Sequence, residues 1–249
     1  MVVILPFGLR VHVAEPLCAR LARDLNVITW QGRSLSDDRF AGNDERLTPE
    51  SHARDVEALL DWAGNDRCDI IGFCSGAGIA LLAAARLADR VERLALVCGE
   101  FMLEPAQCPR SSFQQEVDRL LPLAAQGLDL AEMLSEKLSV GRNPSDERSD
   151  FEAKLAEPFT TGKHLHRHGL NYIGYRQVDF PALAETVPHP TLLISTHDDQ
   201  QVFSESSRLI GAALPNLRDH RTFPGDHYEI LRADNALTDA VVDFLIDRA

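Results

Sequence analysis

The chain has 249 residues, of which 45% are hydrophobic and 25% charged, and its formal net charge is −13. This size fits one large α/β domain, or a core with an inserted subdomain, and the composition is that of a water-soluble globular protein. The acidic balance argues against a nucleic-acid partner, because phosphate backbones need a basic surface, and no apolar run approaches the length of a membrane span.

Residues 2–5 are a short aliphatic run, read as a central parallel strand. They lead into Pro6-Phe7-Gly8-Leu9, a loop that brings backbone N–H groups to the top of a sheet. Pro16 sits near the first turn of a helix whose Leu17, Leu21 and Leu25 form an apolar stripe. Residues 26–30 read as a second strand, followed by a long polar loop through Asp44. Thr48 caps a helix over residues 49–63. Residues 68–73 form the third strand, residues 77–87 an alanine- and leucine-rich helix, and residues 91–97 contain the fourth strand. This β-α-β-α-β-α-β alternation predicts a parallel sheet with right-handed crossovers.

The alternation then breaks. Residues 100–188 contain no strand signal, and helical periodicity runs near residues 113–123, 128–138, 146–155 and 162–177, with Arg142-Asn143-Pro144-Ser145 as a breaker. Strand-type sequence returns at residues 190–195, a helix follows over 204–214, a last strand lies near 220–223, and a final helix spans 228–247. The expected architecture is a core of residues 1–100 and 188–249, with about six mostly parallel strands flanked by helices. A helical cap occupies residues 101–187.

The five cysteines, Cys18, Cys68, Cys74, Cys98 and Cys108, are odd in number and form no CxxC pair, so neither a disulfide framework nor a zinc cluster is expected. The first residues lack the basic lead and long apolar region of a secretory signal. Together these features predict a reducing, cytoplasmic location.

Chemistry concentrates at Gly72-Phe73-Cys74-Ser75-Gly76. A buried strand meets a helix that opens on small residues, which holds the residue at the turn in strained geometry at the C-terminal end of the sheet. With Ser75 at the tip the flanking positions would be Phe73 and Ala77, and Phe73 is too large. Cys74 is flanked by Gly72 and Gly76 and is taken as the tip. The bland alternative is a glycine-rich turn with a buried cysteine.

A thiol nucleophile needs a base, and the base an orienting carboxylate. Candidates follow the last two strands, in His197-Asp198-Asp199-Gln200-Gln201-Val202 and Pro224-Gly225-Asp226-His227-Tyr228. The order nucleophile, acid, histidine resembles the α/β-hydrolase superfamily. Leu5-Pro6-Phe7-Gly8 stands where that family has its first oxyanion-hole loop, and Trp30-Gln31-Gly32-Arg33-Ser34 looks like the loop after its next strand. The elbow around Cys74, the acid segment Pro190-Thr191-Leu192-Leu193-Ile194 with Asp199, and Phe223-Pro224-Gly225-Asp226-His227 complete the likeness, which extends over nearly the whole chain. The two antiparallel strands that often open the fold are missing, as in many thioesterase-like members.

The resemblance implies Cys74 as nucleophile, His227 as general base and acid, and Asp199 as the orienting carboxylate. Aligning the run 192–194 with the family favours Asp199 over the competing Asp198; Glu100, after the fourth strand, is a rarer position for the acid and reads more simply as an exposed loop charge. Backbone N–H of Ser75 would supply half of an oxyanion hole, and Phe7 or Gly8 the other half.

Most family members carry serine where this chain has Cys74. A thiol near a helix N-terminus and an imidazole can have its pKa lowered into the physiological range. The acyl-enzyme would be a thioester, which reacts well with amines and thiols, so acyl transfer or cyclisation stands beside hydrolysis, although the family includes dienelactone hydrolases with cysteine. The expected activity is acyl processing through a Cys-His-Asp triad, on a small ester, thioester or lactone that is free, carrier-bound or CoA-linked, without metal or organic cofactor. Phe113, Phe151, Phe159, Tyr172, Tyr175 and Phe180 are expected to line an acyl pocket or to hold the cap to the core. His164, His166 and His168 alternate, but residues two apart do not share a helix face, so they read as cap surface or pocket lining rather than a metal site. A lyase using the same triad, or a ligand-binding protein without turnover, are the alternatives.

Overall fold

The computed structural model describes residues 1–35, 47–140 and 149–247. The proposed breaker at residues 142–145 and the end of the polar loop at Asp44 lie outside the described residues.

Five parallel strands form one sheet: β1 (Val2–Ile4), β2 (Cys68–Phe73), β3 (Val91–Val97), β4 (Thr191–Thr196) and β5 (Leu217–Phe223), hydrogen-bonded in that order. The expectation of about six strands counted residues 26–30, which contribute a single bridge between Ile28 and Val2. The hydroxyl of Thr29 donates to the Val3 carbonyl at 3.1 Å. That carbonyl is the acceptor the next rung would have used, so pairing stops after one step.

Side chains alternate across the sheet and feed two apolar layers. Ile70, Leu94, Leu96 and Leu193 face one layer, built with α2 (Pro49–Trp62), α3 (Ser75–Arg86), α8 (Phe180–Glu185) and α9 (Ser204–Ala213). Ile71, Phe73, Ala95, Val97 and Ile194 face the other, covered by α1 (Glu15–Leu21) and α10 (Ala236–Ile246). β5 is an edge strand with exposed Arg218, Asp219 and Arg221, charges that discourage pairing with another chain.

Thr48 caps α2 as its sequence indicates, its side chain accepting from Ser51 N–H. The expected last helix is shorter than residues 228–247, because Asp234 has φ +52° and Asn235 caps a new start through Thr238 N–H.

Between β3 and β4 lie α4 (Ser112–Ala124), α5 (Leu128–Val140), α6 (Asp150–Leu155), α7 (Gly162–Tyr175) and α8, with no strand among the described residues. α6 begins later than the periodicity suggested, at a capping box of Ser149 and Glu152; residues 146–148 lie outside the described residues. Leu121, Ala124, Ala131, Leu165 and Tyr172 give α4, α5 and α7 an apolar centre of their own. Tyr175 and Phe180 are fully buried in the core layer against α3, where a Cβ on Gly78 would lie 2.0 Å from the Tyr175 hydroxyl. α4, α6 and α7 contribute side chains, among them Phe113, Leu155 and His168, to the cavity that Cys74 also lines. Among the described residues no helix is long and apolar enough to cross a membrane.

Candidate active site

β2 ends at Phe73 and α3 starts at Ser75, so Cys74 alone makes the turn between them. Its backbone has φ +53° and ψ −123°, a conformation that costs a side-chain-bearing residue about 1–3 kcal/mol. Two hydrogen bonds fix it: Cys74 N–H donates to Val97 O at 3.0 Å, and Cys74 O accepts from Ala77 N–H at 3.0 Å. The flanking glycines are demanded by space. A Cβ on Gly72 would lie 2.6 Å from Ala77 Cα, and one on Gly76 would lie 2.3 Å from Ile4 O. The strand, the helix and the neighbouring strand therefore approach at backbone distance, and the Cys74 side chain is aimed at a cavity above the sheet.

The loops after β4 and β5 meet the same cavity. Nδ1 of His227 lies 2.7 Å from Oδ2 of Asp199, and both residues are buried. The other carboxylate oxygen of Asp199 accepts N–H of Gln201 and Val202, each at 2.8 Å. Asp199 accepts every bond it makes there, so it sets the imidazole with Nδ1–H toward the acid and Nε2 as the available acceptor. Asp198 and His197 are exposed. Gln201 ties the constellation together: its side-chain amide donates to the Tyr228 hydroxyl at 2.7 Å, and its backbone carbonyl accepts from Ser111 Oγ at the start of α4 at 2.7 Å.

Cys74, His227, Ser75, Phe7 and Gly8 all line one cavity of about 120 Å³. Phe7 N–H donates to Ser75 Oγ at 3.1 Å, so the first loop and the elbow are joined before any ligand arrives. Gly8 has φ +77°, and a Cβ there would lie 2.5 Å from Pro158. Of the six aromatic residues expected at the pocket, Phe113, Phe159 and Tyr172 reach it. Tyr175 and Phe180 belong to the core, and Phe151 packs its ring on Tyr228, with centroids 5.9 Å apart.

The thiol departs from expectation. Burial pushes the Cys74 thiol well above its ordinary range, and the charge of Glu100 adds to this, outweighing the hydrogen bond from Ser75 backbone. Burial and the Glu100 charge thus both favour the protonated thiol.

Glu100 is buried rather than an exposed loop charge. Its N–H donates to Cys74 O at 3.2 Å, and its own carbonyl accepts from the Tyr175 hydroxyl at 2.5 Å. Its carboxylate accepts from Met102 N–H at 2.9 Å and from the Gln114 amide, and it pairs with Arg110 at 3.4 Å. Arg110 also pairs with Asp118 at 2.9 Å, which receives the Tyr172 hydroxyl. The sequence reading missed Arg110 and Gln114. The readable sign was Ser111-Ser112-Phe113-Gln114, a capping box that places Gln114 one turn into a helix beside the sheet.

His168 of α7 also lines the cavity, packed edge-on against Phe159. Its buried Nδ1 has no hydrogen-bond partner among the described residues, and burial lowers its pKa to about 4, so it is neutral. His166 faces elsewhere, toward Ala124 O at 2.8 Å. Among the described residues, Cys98, Asp199 and His227 offer a thiol, a carboxylate and an imidazole within 4.8 Å of one another, a set of types that can hold a metal. Here the imidazole and carboxylate are engaged with each other at 2.7 Å, the arrangement of a base and its orienting acid.

Comparison with known proteins identifies the fold. Residues 33–233 match the family model described as the alpha/beta hydrolase fold. The chain is 23% identical over 176 residues to an L-allo-isoleucyltransferase of Pseudomonas savastanoi pv. glycinea, covering 71% of this chain and 61% of that protein. It is 28% identical over 180 residues to a 2-hydroxymuconate semialdehyde hydrolase of Pseudomonas putida, covering 68% of this chain and 60% of that protein. The matches thus span about three fifths of the length of these relatives. A solved hydrolase from Oleispira antarctica superposes with a TM-score of 0.75 at 18% identity, covering 99% of this chain and 90% of that one, a likeness of fold.

Proposed function

The chain belongs to the alpha/beta hydrolase fold family, and we propose that it is an acyl-processing enzyme that holds its acyl group as a thioester on Cys74. One observation carries the reading: a cysteine in strained geometry at the β2–α3 turn opens onto the same cavity as a histidine already oriented by a buried aspartate.

Nε2 of His227 takes the Cys74 proton as sulfur attacks the substrate carbonyl, and Asp199 stabilises the imidazolium that forms. The oxyanion receives the backbone N–H of Ser75 and a donor from the Phe7–Gly8 loop. His227 then protonates the leaving group, and an acyl-cysteine remains. An acceptor that gives its proton to His227 attacks the thioester, and the Cys74 thiol is restored.

Transfer is favoured over hydrolysis by two features. The cavity wall is largely apolar, with Phe113, Val117, Leu155 and Phe159, which disfavours ordered water at the thioester. Exchange of an acyl group between thiols is also nearly balanced in energy, which suits a cysteine carrier and a carrier-bound or CoA-linked thioester substrate. The isoleucyltransferase relative points the same way, and the hydrolase relative keeps water as the competing acceptor.

The test is the intact mass of the protein after mixing with acyl thioesters and aryl esters. Native protein is expected to gain one acyl group, mapped to Cys74, and Cys74→Ala none. Asp199→Asn is expected to slow acylation by roughly 10²–10⁴-fold, because the amide no longer fixes the tautomer; exposed Asp198→Asn is expected to leave the rate unchanged. An acyl group found elsewhere, or equal acylation of Cys74→Ala, would reject the reading. Decay of the adduct in water against added thiol or amine separates hydrolysis from transfer.

A further inference from the structure

We propose that the acyl group accepted at this site carries a protonated amine, bound by the Glu100 carboxylate in the cavity wall. This deepens the acyl-cysteine reading and rests on it.

Among the described residues lining the cavity, Glu100 is the sole carboxylate and Arg110 the sole permanent cation. The two do not simply cancel. Arg110 lies closer to Asp118, at 2.9 Å, than to Glu100, at 3.4 Å. The ion pairs therefore join two carboxylates, Glu100 in the lining and Asp118 outside it, to one guanidinium, and it is this cluster that carries an excess of negative charge. Every group that reaches the Glu100 carboxylate is a donor, namely Met102 N–H, the Gln114 amide and the Arg110 guanidinium. That is the pattern of an ionised carboxylate. Met102 adopts φ +47° where it presents its N–H, and Gln114 is held by the capping box of α4. The carboxylate is fixed from three sides.

Such a group is harmful to acyl transfer if nothing offsets it. A buried negative charge near the nucleophile opposes the sulfur anion, and it opposes the oxyanion of the tetrahedral intermediate. The same Glu100 charge is the leading electrostatic cause of the raised Cys74 thiol. A substrate ammonium seated on Glu100 reverses this penalty: it neutralises the wall, gains a charge-assisted hydrogen bond, and removes the field that resists attack. A neutral acyl group would leave the penalty in place. In the acylation step the ammonium keeps its protons. The Cys74 Sγ–acyl bond forms, the acyl–leaving-thiol bond breaks, and the Cys74 proton passes through His227 to the leaving thiolate. The apolar remainder of the wall, Phe113, Val117 and Phe159, fits an aliphatic or aromatic side chain beyond the amine.

The experiment compares four N-acetylcysteamine thioesters on the whole protein: leucyl, its des-amino analogue 4-methylpentanoyl, N-acetyl-leucyl, and succinyl. Acylation of Cys74 is followed by intact mass. Leucyl is expected to react at least about 100-fold faster than the others, since only its ammonium offsets the Glu100 charge that opposes the sulfur anion and the oxyanion. Glu100→Gln is expected to bring the leucyl to 4-methylpentanoyl ratio close to one. Equal rates in the native protein, or a Glu100→Gln variant that loses both rates with an unchanged ratio, overturn the inference while acyl-cysteine formation stands. A preference for succinyl assigns the wall to Arg110 and also overturns it. If Glu100→Gln does not fold, the native ratios and Asp118→Asn decide, the latter being expected to lower the leucyl preference. If no thioester acylates Cys74, the acyl-cysteine reading falls and this inference falls with it.

Discussion

In the proposed mechanism, the proton on Cys74 decides how its sulfur attacks. A cysteine near a helix N-terminus and an imidazole can have its pKa lowered, yet burial and the Glu100 charge raise the thiol here. Both causes come from residues distant in sequence, and neither is visible in the elbow motif. The direction sets a measurable outcome. An ordinary cysteine reaches half-ionisation near pH ~8.5, whereas here the charged form is opposed, so the midpoint lies higher. Iodoacetamide labelling of Cys74, followed by peptide mapping to separate it from the other cysteines, is expected to keep rising beyond pH 9. Glu100→Gln is expected to lower that midpoint. A plateau already reached below pH 8 would show that the thiolate is stabilised and that His227 is not needed to draw off the proton. For the carboxylate, the preceding run and the family spacing favour Asp199 over Asp198, and Asp199 is the one hydrogen-bonded to His227; its role as orienting acid belongs to the proposal.

At the scale of elements, the strands that sit at the centre of the sheet read cleanly, since buried parallel strands are continuous apolar runs; β2 and β3 occupy residues 68–73 and 91–97. Failures came where a side chain competes with the backbone. Thr29 takes the Val3 carbonyl and ends a strand, and Asn235 caps a helix inside a stretch that otherwise looks continuous. α8 was missed although Asp179 at its cap and Pro181 in its first turn signal a start. The elbow is the element whose sequence is most fully explained by contact. Gly76→Ala would drive a Cβ to 2.3 Å from Ile4 O, a backbone atom of β1 that cannot rotate away. A loss of roughly 2–4 kcal/mol is expected in urea unfolding, as for other overpacked cores. Gly127→Ala, with nothing within 4 Å, is expected to stay within about 0.5 kcal/mol of the native protein. Equal costs at the two sites would mean that β1 and α3 are not packed at backbone distance.

For the molecule as a whole, the seam where α7 meets the core carries histidines whose charged form burial disfavours. His52 on α2 meets Asn171 on α7 at 2.6 Å. His168 faces Gly8 and Phe159, and His164 lies near Glu157, Arg10 and Lys163. All three are lowered from the ordinary imidazole value, chiefly by burial, with Asp55 and Arg33 the charges nearest His52. Sequence could place these residues on helices but not on a common seam, because the seam joins segments more than a hundred residues apart. A lowered folded-state pKa means that the unfolded chain binds more protons below pH ~6.5, so the stability each histidine supports is present above that pH and is lost as pH falls toward the folded value. For His168, whose folded value is about 4, the loss between pH 7.5 and 4.5 amounts to about 2.5 kcal/mol. Urea unfolding at both pH values should therefore show a smaller acid loss for His168→Gln than for the native protein, by about that amount. If the two proteins lose the same stability on acidification, the imidazole is not held neutral by the fold, and the seam is closed by packing alone.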